Sequence, residues 1–435
     1  MKVLPISRNG NTLLIIRKRF FHGWAIVAAL FLVGFAEVVT FNPVLAVMMK
    51  PMAAEMGWSR TAIVGALSAG SVVSGGVALL VGPILDRRGA RGTLVLGIAI
   101  MGLCLIGISQ VTALWQFYML FGLARAISAG IVELAISVTI ANWFINKRAR
   151  AFGIATTGPR IGLACIPPLA LLLMSGMGWR GSWVGLGITT WLMGILPAVL
   201  FLGRRPEDFG LVPDGNTNRQ RAIPPDSQHS HSLKVENIKE TERSWTVRNA
   251  VGSMTFWLLT AGQAIATLAS GGVNMHQLPH LTDRGIAPAV AVGAISSYAM
   301  WAMVGVLAWS FLAERWGVRR CLTLSLILSA IGVFVLARVD SVAMAFFYSA
   351  FYGLMFGGEM ALFPLAWADY FGRTSLGTIK GISRPIVMVF NAAGPLFGGW
   401  IYDTTGNYWI AFLVFIISFL IGAAFIFASR PTLPS

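Results

Sequence analysis

Six strongly ionisable side chains lie inside runs of sequence that are otherwise apolar: Glu37, Arg125, Glu133, Arg160, Glu359 and Arg384. A charge placed in hydrocarbon is costly unless it faces protein or water, so such groups mark an interior path. Arg125 and Arg160 each offer a planar donor fork that stays charged at any physiological pH, which suits the gripping of a carboxylate. The competing role is a structural salt bridge with Glu37 or Glu133, because a buried charge needs a partner whatever its job. Glu359 follows Gly357 and Gly358. An acid withdrawn from water can carry a proton near neutrality, which makes Glu359 and Glu37 candidates for proton coupling or, alternatively, permanent counter-ions to an arginine. Asn42, Asn391 and Tyr298, with Gln263 and Asn274, could hydrogen-bond a substrate or join helices to one another.

The elements that position these groups follow from composition. Charged residues make up 11% of the chain and AVILMFWYC 56%, too apolar for a soluble globular protein of this length. Uncharged runs of about 20 residues, enough to cross ~30 Å of hydrocarbon, recur along it. Twelve spans are predicted: 22–48, 60–84, 92–110, 115–142, 151–175, 181–203, 250–276, 288–312, 320–337, 343–369, 381–402 and 408–428. Each must be a helix, since an unpaired backbone amide is costly in lipid and the alternation of a barrel strand is missing. Glu37, Arg125, Arg160 and Glu359 fall near mid-span, Arg384 near one end, and spans three, six, nine and twelve carry no such charge.

The net charge of +16 does not indicate nucleic acid, because the basic residues sit in short loops between spans rather than on one polar face. With a cytoplasmic amino terminus, inside segments collect Arg87, Arg88, Arg91, Lys147, Arg148, Arg150, Arg315, Arg319, Arg320 and Arg373, while outside ones hold few. The positive-inside rule then puts both termini in the cytoplasm. Cys104, Cys165 and Cys321 have neither metal-ligand spacing nor a disulfide framework. The first apolar run is too long for a signal-peptide core and reads as a retained helix. Residues 204–247, rich in Pro, Asn, Ser and mixed charge, read as a linker between domains 1–203 and 248–435, disordered in its middle. His229 and His231 within it are assigned no function.

The halves repeat. Residues 51–91 are echoed by 279–319 at a constant offset of 228: Pro51 recurs as Pro279, Gly57 as Gly285, Asp86 as Glu314, Arg87 as Arg315, Gly89 as Gly317 and Arg91 as Arg319. Pro167 and Pro395 share the offset. Similar halves enclosing a midplane cavity are a common construction of secondary transporters. The loop GPILDRRGAR, with Gly82, Asp86, Arg87, Gly89 and Arg91, and its copy with Glu314, Arg315, Gly317 and Arg319 read as gating latches, Arg384 beside them. Glycine lets backbones approach, the acid caps a helix terminus, and arginines reach carbonyls or acids.

Gly82, Asp86, Arg87, Gly89 and Arg91 resemble the Gly-x-x-x-Asp-Arg-x-Gly-x-Arg/Lys signature of the major facilitator superfamily, the second copy departing at Ser310 and Glu314. The stretch WFINKRARAFGIATTGPRIG at 143–162, with Trp143, Phe144, Lys147, Arg148, Ala151, Gly153, Ala155, Gly158 and Gly162, is similar to the monocarboxylate-carrier branch and its oxalate/formate relatives. This resemblance implies an all-α membrane protein of twelve helices in two six-helix bundles, with helices three, six, nine and twelve as outer supports. His22 in place of the animal carriers' acid, and the lack of their first-span lysine, leave the substrate to this chain's own residues.

The expected function is secondary active transport of a small organic anion, mono- or dicarboxylate, by rocker-switch alternating access with proton symport or anion exchange. The expected setting is a bacterial plasma membrane, and the expected state a monomer. No cofactor, nucleic-acid partner or enzymatic activity is expected: neither an ATP-binding loop nor a constellation of nucleophile, base and oxyanion donors stands out. The first alternative is copper import through Met48, Met52, His276 and His280, thioether and imidazole together suiting that metal. The second is a membrane sensor without flux.

Overall fold

A computed structural model describes the backbone of residues 3–8, 11–16, 21–215 and 245–430. His229 and His231 lie outside the described residues. Val3–Arg8 and Asn11–Ile16 form a short antiparallel strand pair, an element the hydropathy reading did not contain. The remainder is helical.

Ten runs among the described residues are long and apolar enough to cross a membrane. They give α1 (His22–Met56), α2 (Arg60–Arg88), α3 (Ala90–Ile108), α4 (Leu114–Trp143), then one continuous run, Arg148–Phe201, that breaks at Gly178 (φ 66°, ψ 178°) into α5 (148–177) and α6 (179–201). The second half supplies α7 (Met254–Asp283), α8 (Pro288–Trp316), α9 (Val318–Ala337), α10 (Val342–Phe371), α11 (Leu376–Thr405) and α12 (Trp409–Ala428). The 30-residue α10, which is not among those ten, is ~45 Å long and completes the twelve. The twelve helices form two six-helix bundles.

The backbone carries the repeat further than the sequence does. Left-handed glycines stop helices at Gly57, Gly89 and Gly178 (φ 68°, 82° and 66°), and again 228 residues on at Gly285, Gly317 and Gly406 (φ 84°, 82° and 71°). A side chain would be strained at each of these turns.

Packing divides the chain into two compact units, Met1–Trp245 with Phe371–Ile382, and Thr246–Tyr370 with Ser383–Ser435. In the first, α5 lies on α1 where Gly158 faces the carbonyl of Phe31 and Gly162 that of Phe35, and α2 lies on α4 where Gly70 faces the carbonyl of Gly122. In the second, Gly394 of α11 faces the carbonyl of Leu268 on α7, and Gly305 of α8 faces that of Leu354 on α10. Small residues let backbones touch where lipid supplies no hydrophobic drive. Gly158→Val places its Cβ on a carbonyl oxygen and is expected to cost about 1–3 kcal/mol, whereas Gly76→Ala, which meets nothing, should be neutral. Melting of the two purified variants checks this, and equal midpoints would refute it.

Three membrane helices are not regular, α6 through a wide π turn at Trp191–Ile195. In α1 a tighter turn, Val38–Thr40, and extended Phe41 (φ −90°, ψ 160°) separate His22–Glu37 from Asn42–Met56. Pro43 explains the break, because it has no N–H to continue the ladder and its ring crowds the preceding turn. In α4 a single wide π turn, Ser128–Val132, falls between Arg125 and Glu133.

Candidate functional site

Four of the predicted intramembrane charges lie in the first unit on helices that touch. The α2–α4 crossing at Gly70 places Arg125 against α2, where its Nε donates to Ser71 Oγ (3.2 Å) and its guanidinium lies over the Phe41 ring (4.8 Å to the centroid). Phe41 is the residue at which α1 breaks. Glu37, 4% exposed, ends the first part of α1, and Thr40 Oγ1 donates to its carbonyl (3.1 Å). Arg160, half-buried, sits between Gly158 and Gly162 in α5, at the α1 crossing. Glu133 is exposed just after the wide turn, and the side chain of Asn42 lies outside the described residues. Broken membrane helices expose backbone groups and oriented dipoles where ligands bind, so the α1 break adds to what Arg125 and Arg160 offer an anion.

The second unit holds the other candidates. Glu359 on α10 is 4% exposed and accepts from Ser329 Oγ on α9 (2.7 Å). Tyr298 donates to Asn274 Oδ1 (2.7 Å) and stacks on Tyr352, Tyr348 donates to Gln277 Oε1 (2.8 Å), and the Trp367 indole donates to Gln263 Oε1 (2.7 Å). These amides thus join α7 to α8 and α10. Asn391 is exposed on α11, its carbonyl facing Gly271 of α7. Ser329, Tyr348 and Tyr352 escaped the sequence reading; Ser325 and Ser329, one turn apart in an apolar helix, were the available signal.

The residues of the copper alternative are engaged otherwise. Met48 and Met52 lie in the apolar core of the first unit. In the second, His276 Nε2 pairs with the Pro395 carbonyl (2.8 Å) and His280 Nε2 with that of Leu336 (3.1 Å). No group of three metal-ligating His, Cys, Asp or Glu occurs among the described residues.

The third cluster lies in the first unit at the ends of α2, α4 and α10 and the start of α11, called here the linker side. Gly82 packs on the backbone of Gly377, and the Asp86 carboxylate accepts from Gly377 N–H (2.8 Å), Thr378 N–H (2.7 Å) and Thr378 Oγ1 (2.7 Å). An acid here caps the first turn of α11 and meets the positive end of its dipole. The opposite pairing occurs at the end of α4: Arg373 Nη1 donates to the Asn142 carbonyl (3.0 Å), and Arg148 donates to those of Phe144 (3.0 Å) and Ala141 (3.1 Å). Lys380 Nζ donates to Ser137 Oγ (2.6 Å). Arg87 is exposed and Arg91 half-buried; the guanidinium on the carbonyl of Asp86 belongs to Arg204 (3.2 Å). In the second unit Glu314 and Arg315 are exposed, Gly317 is left-handed, Arg319 lies over Phe427 (5.7 Å), and Arg384 is half-buried on α11.

Two bundles with matching turns, charges confined to contacting helices and a capped interhelical loop define a multi-pass membrane transporter fold. The sequence model of the Major Facilitator Superfamily matches residues 26–273 and again 259–435, and the chain belongs to that superfamily. Among its relatives are monocarboxylate transporter 12 of Mus musculus (24% identical over 83% of this chain and 72% of the relative) and monocarboxylate transporter 14 of Homo sapiens (23%, 82% and 81%). A probable L-galactonate transporter of Escherichia coli K12 is 30% identical over 44% of this chain and 42% of its own. Of solved structures, the proton:xylose symporter XylE bound to 6-bromo-6-deoxy-D-glucose superposes with a TM-score of 0.71 at 13% identity, covering 95% of this chain and 96% of that one. FucP in the outward conformation gives 0.67 at 12%, covering 95% and 100%. These two likenesses concern the fold alone.

Proposed function

We propose that the protein moves a small organic anion of the carboxylate class by alternating access of its two halves, 1–203 and 248–435, in proton symport or anion exchange. The observation carrying this reading is the pair Arg125 and Arg160, two permanently charged donor forks on helices that contact α1 at its break. The relatives' names support the substrate class. The linker side is the cytoplasmic face, because the basic loops gather there, and the membrane is the plasma membrane of a monomeric carrier. Within the first unit Arg125 and Arg160 grip the carboxylate and Glu37 balances them; Asn42, Asn391 and Tyr298 are the candidates for further hydrogen bonds. Glu359, in the other unit, carries the coupled proton.

The test is uptake of labelled two- to six-carbon carboxylates into proteoliposomes. Arg125→Lys and Arg160→Lys keep the charge but lose the bidentate fork, and each is expected to weaken apparent affinity at least ~tenfold, about 1.4 kcal/mol. The reading fails if no carboxylate accumulates or competes, or if both variants transport as the parent does.

A further inference from the structure

The start of the linker does not leave the protein after α6. Gly203 accepts at its carbonyl from the Trp143 indole (3.0 Å), Arg204 reaches the Asp86 carbonyl, and Pro206–Phe209 make one tight turn that lays the Phe209 ring against Trp143 (6.1 Å between centroids). The chain then arrives at Asp214, the one non-glycine residue with positive φ among those described (φ 63°). Asp214 is 6% exposed, and its carboxylate accepts from the backbone N–H groups of Ile145 (3.2 Å), Asn146 (2.7 Å) and Lys147 (3.0 Å), which lead into α5. Successive N–H groups at a helix start form a nest for an anion, and the left-handed backbone is the strained conformation that delivers this one. Between these anchors, Glu207 pairs with Arg373, whose side chain is 9% exposed. Arg373 is also the residue on the Asn142 carbonyl.

We propose that residues 203–214 are a clasp: Asp214 pins the linker start to the α4–α5 loop, and this presents Glu207 to Arg373, so that the clasp latches the α10–α11 loop beside Asp86. Glu207 and Asp214 are then positioning residues for the transport cycle, and each opening of the linker side breaks the Glu207–Arg373 pair while Asp214 stays docked. The inference rests on the alternating-access reading but not on the identity of the substrate.

The experiment uses the full chain in nanodiscs with Cys104, Cys165 and Cys321 replaced by alanine and Ala78→Cys as reporter. Ala78 is 1% exposed, and Gly381 of the α11 start lies on its carbonyl, so a maleimide reaches position 78 only when that segment lifts. Glu207→Gln is expected to raise the labelling rate roughly tenfold, as is Asp214→Gly, because glycine favours the same backbone conformation yet removes the carboxylate. Arg373→Glu alone should do the same, and combination with Glu207→Arg should return the rate to within about twofold of the parent. A role confined to backbone shape predicts no change in Asp214→Gly. The proposal is overturned if Glu207→Gln or Asp214→Gly labels at the parental rate, or if the exchanged pair is no slower than the single variants. Labelling needs no transported substrate, so its outcome is separate from that of the carboxylate uptake.

Discussion

Asp86→Ala is expected to loosen the first turn of α11 and to destabilise the protein by on the order of 3 kcal/mol. The carboxylate accepts three hydrogen bonds there, two from the backbone of Gly377 and Thr378 and one from the Thr378 hydroxyl. Hydrogen bonds to a charged group contribute about 1.5–3 kcal/mol each, but three to one carboxylate act as a unit and do not add. Orphaned N–H groups at a half-buried helix start add their desolvation cost. Asp86→Asn, which keeps the shape but turns an NH2 toward a donor, should lose most of the same stability. Denaturant titration in mixed micelles measures both, and a change below about 0.5 kcal/mol in the alanine variant, the range of ordinary surface substitutions, would show that the cap is not what holds α11.

Glu359→Gln has the second large expected effect, on coupling rather than folding. Glutamine is nearly isosteric and can still accept from Ser329, so melting should hardly move. It cannot release a proton. Accumulation driven by a pH gradient is therefore expected to fall at least ~tenfold while exchange of internal for external substrate continues, because exchange needs no net proton movement. Glu37→Gln should behave differently and tighten the binding of an anion, as removal of a competing carboxylate leaves the positive charge of the arginines to the substrate alone. Accumulation by Glu359→Gln at the parental level would remove Glu359 from the coupling step.

Much of this architecture is written in hydropathy. Span 320–337 becomes Val318–Ala337 and span 408–428 becomes Trp409–Ala428. The repeat is visible over 51–91, and the turns at Gly178 and Gly406 extend it. The break in α1 was not legible, because Val38-Val39-Thr40-Phe41 is as apolar as its surroundings and Pro43 was the only sign. Asp86 was recognisable as an acid suited to a helix terminus, but its partners lie about 290 residues away and no local pattern names them. The linker start looked like the rest of a polar tract. Its anchors are side chains bound to backbone amides and carbonyls, which leave no periodic trace in the sequence.

The wide turn in α4 has an effect on phase. In an uninterrupted α-helix, residues eight apart diverge by ~80° around the axis. One inserted residue absorbed at Ser128–Val132 subtracts ~100° from that angle and leaves Arg125 and Glu133 within ~20° of a common line. The acid and the base of α4 therefore share one azimuth only because the helix is overfull by a residue, and a helical wheel drawn from the sequence assigns them to different sectors.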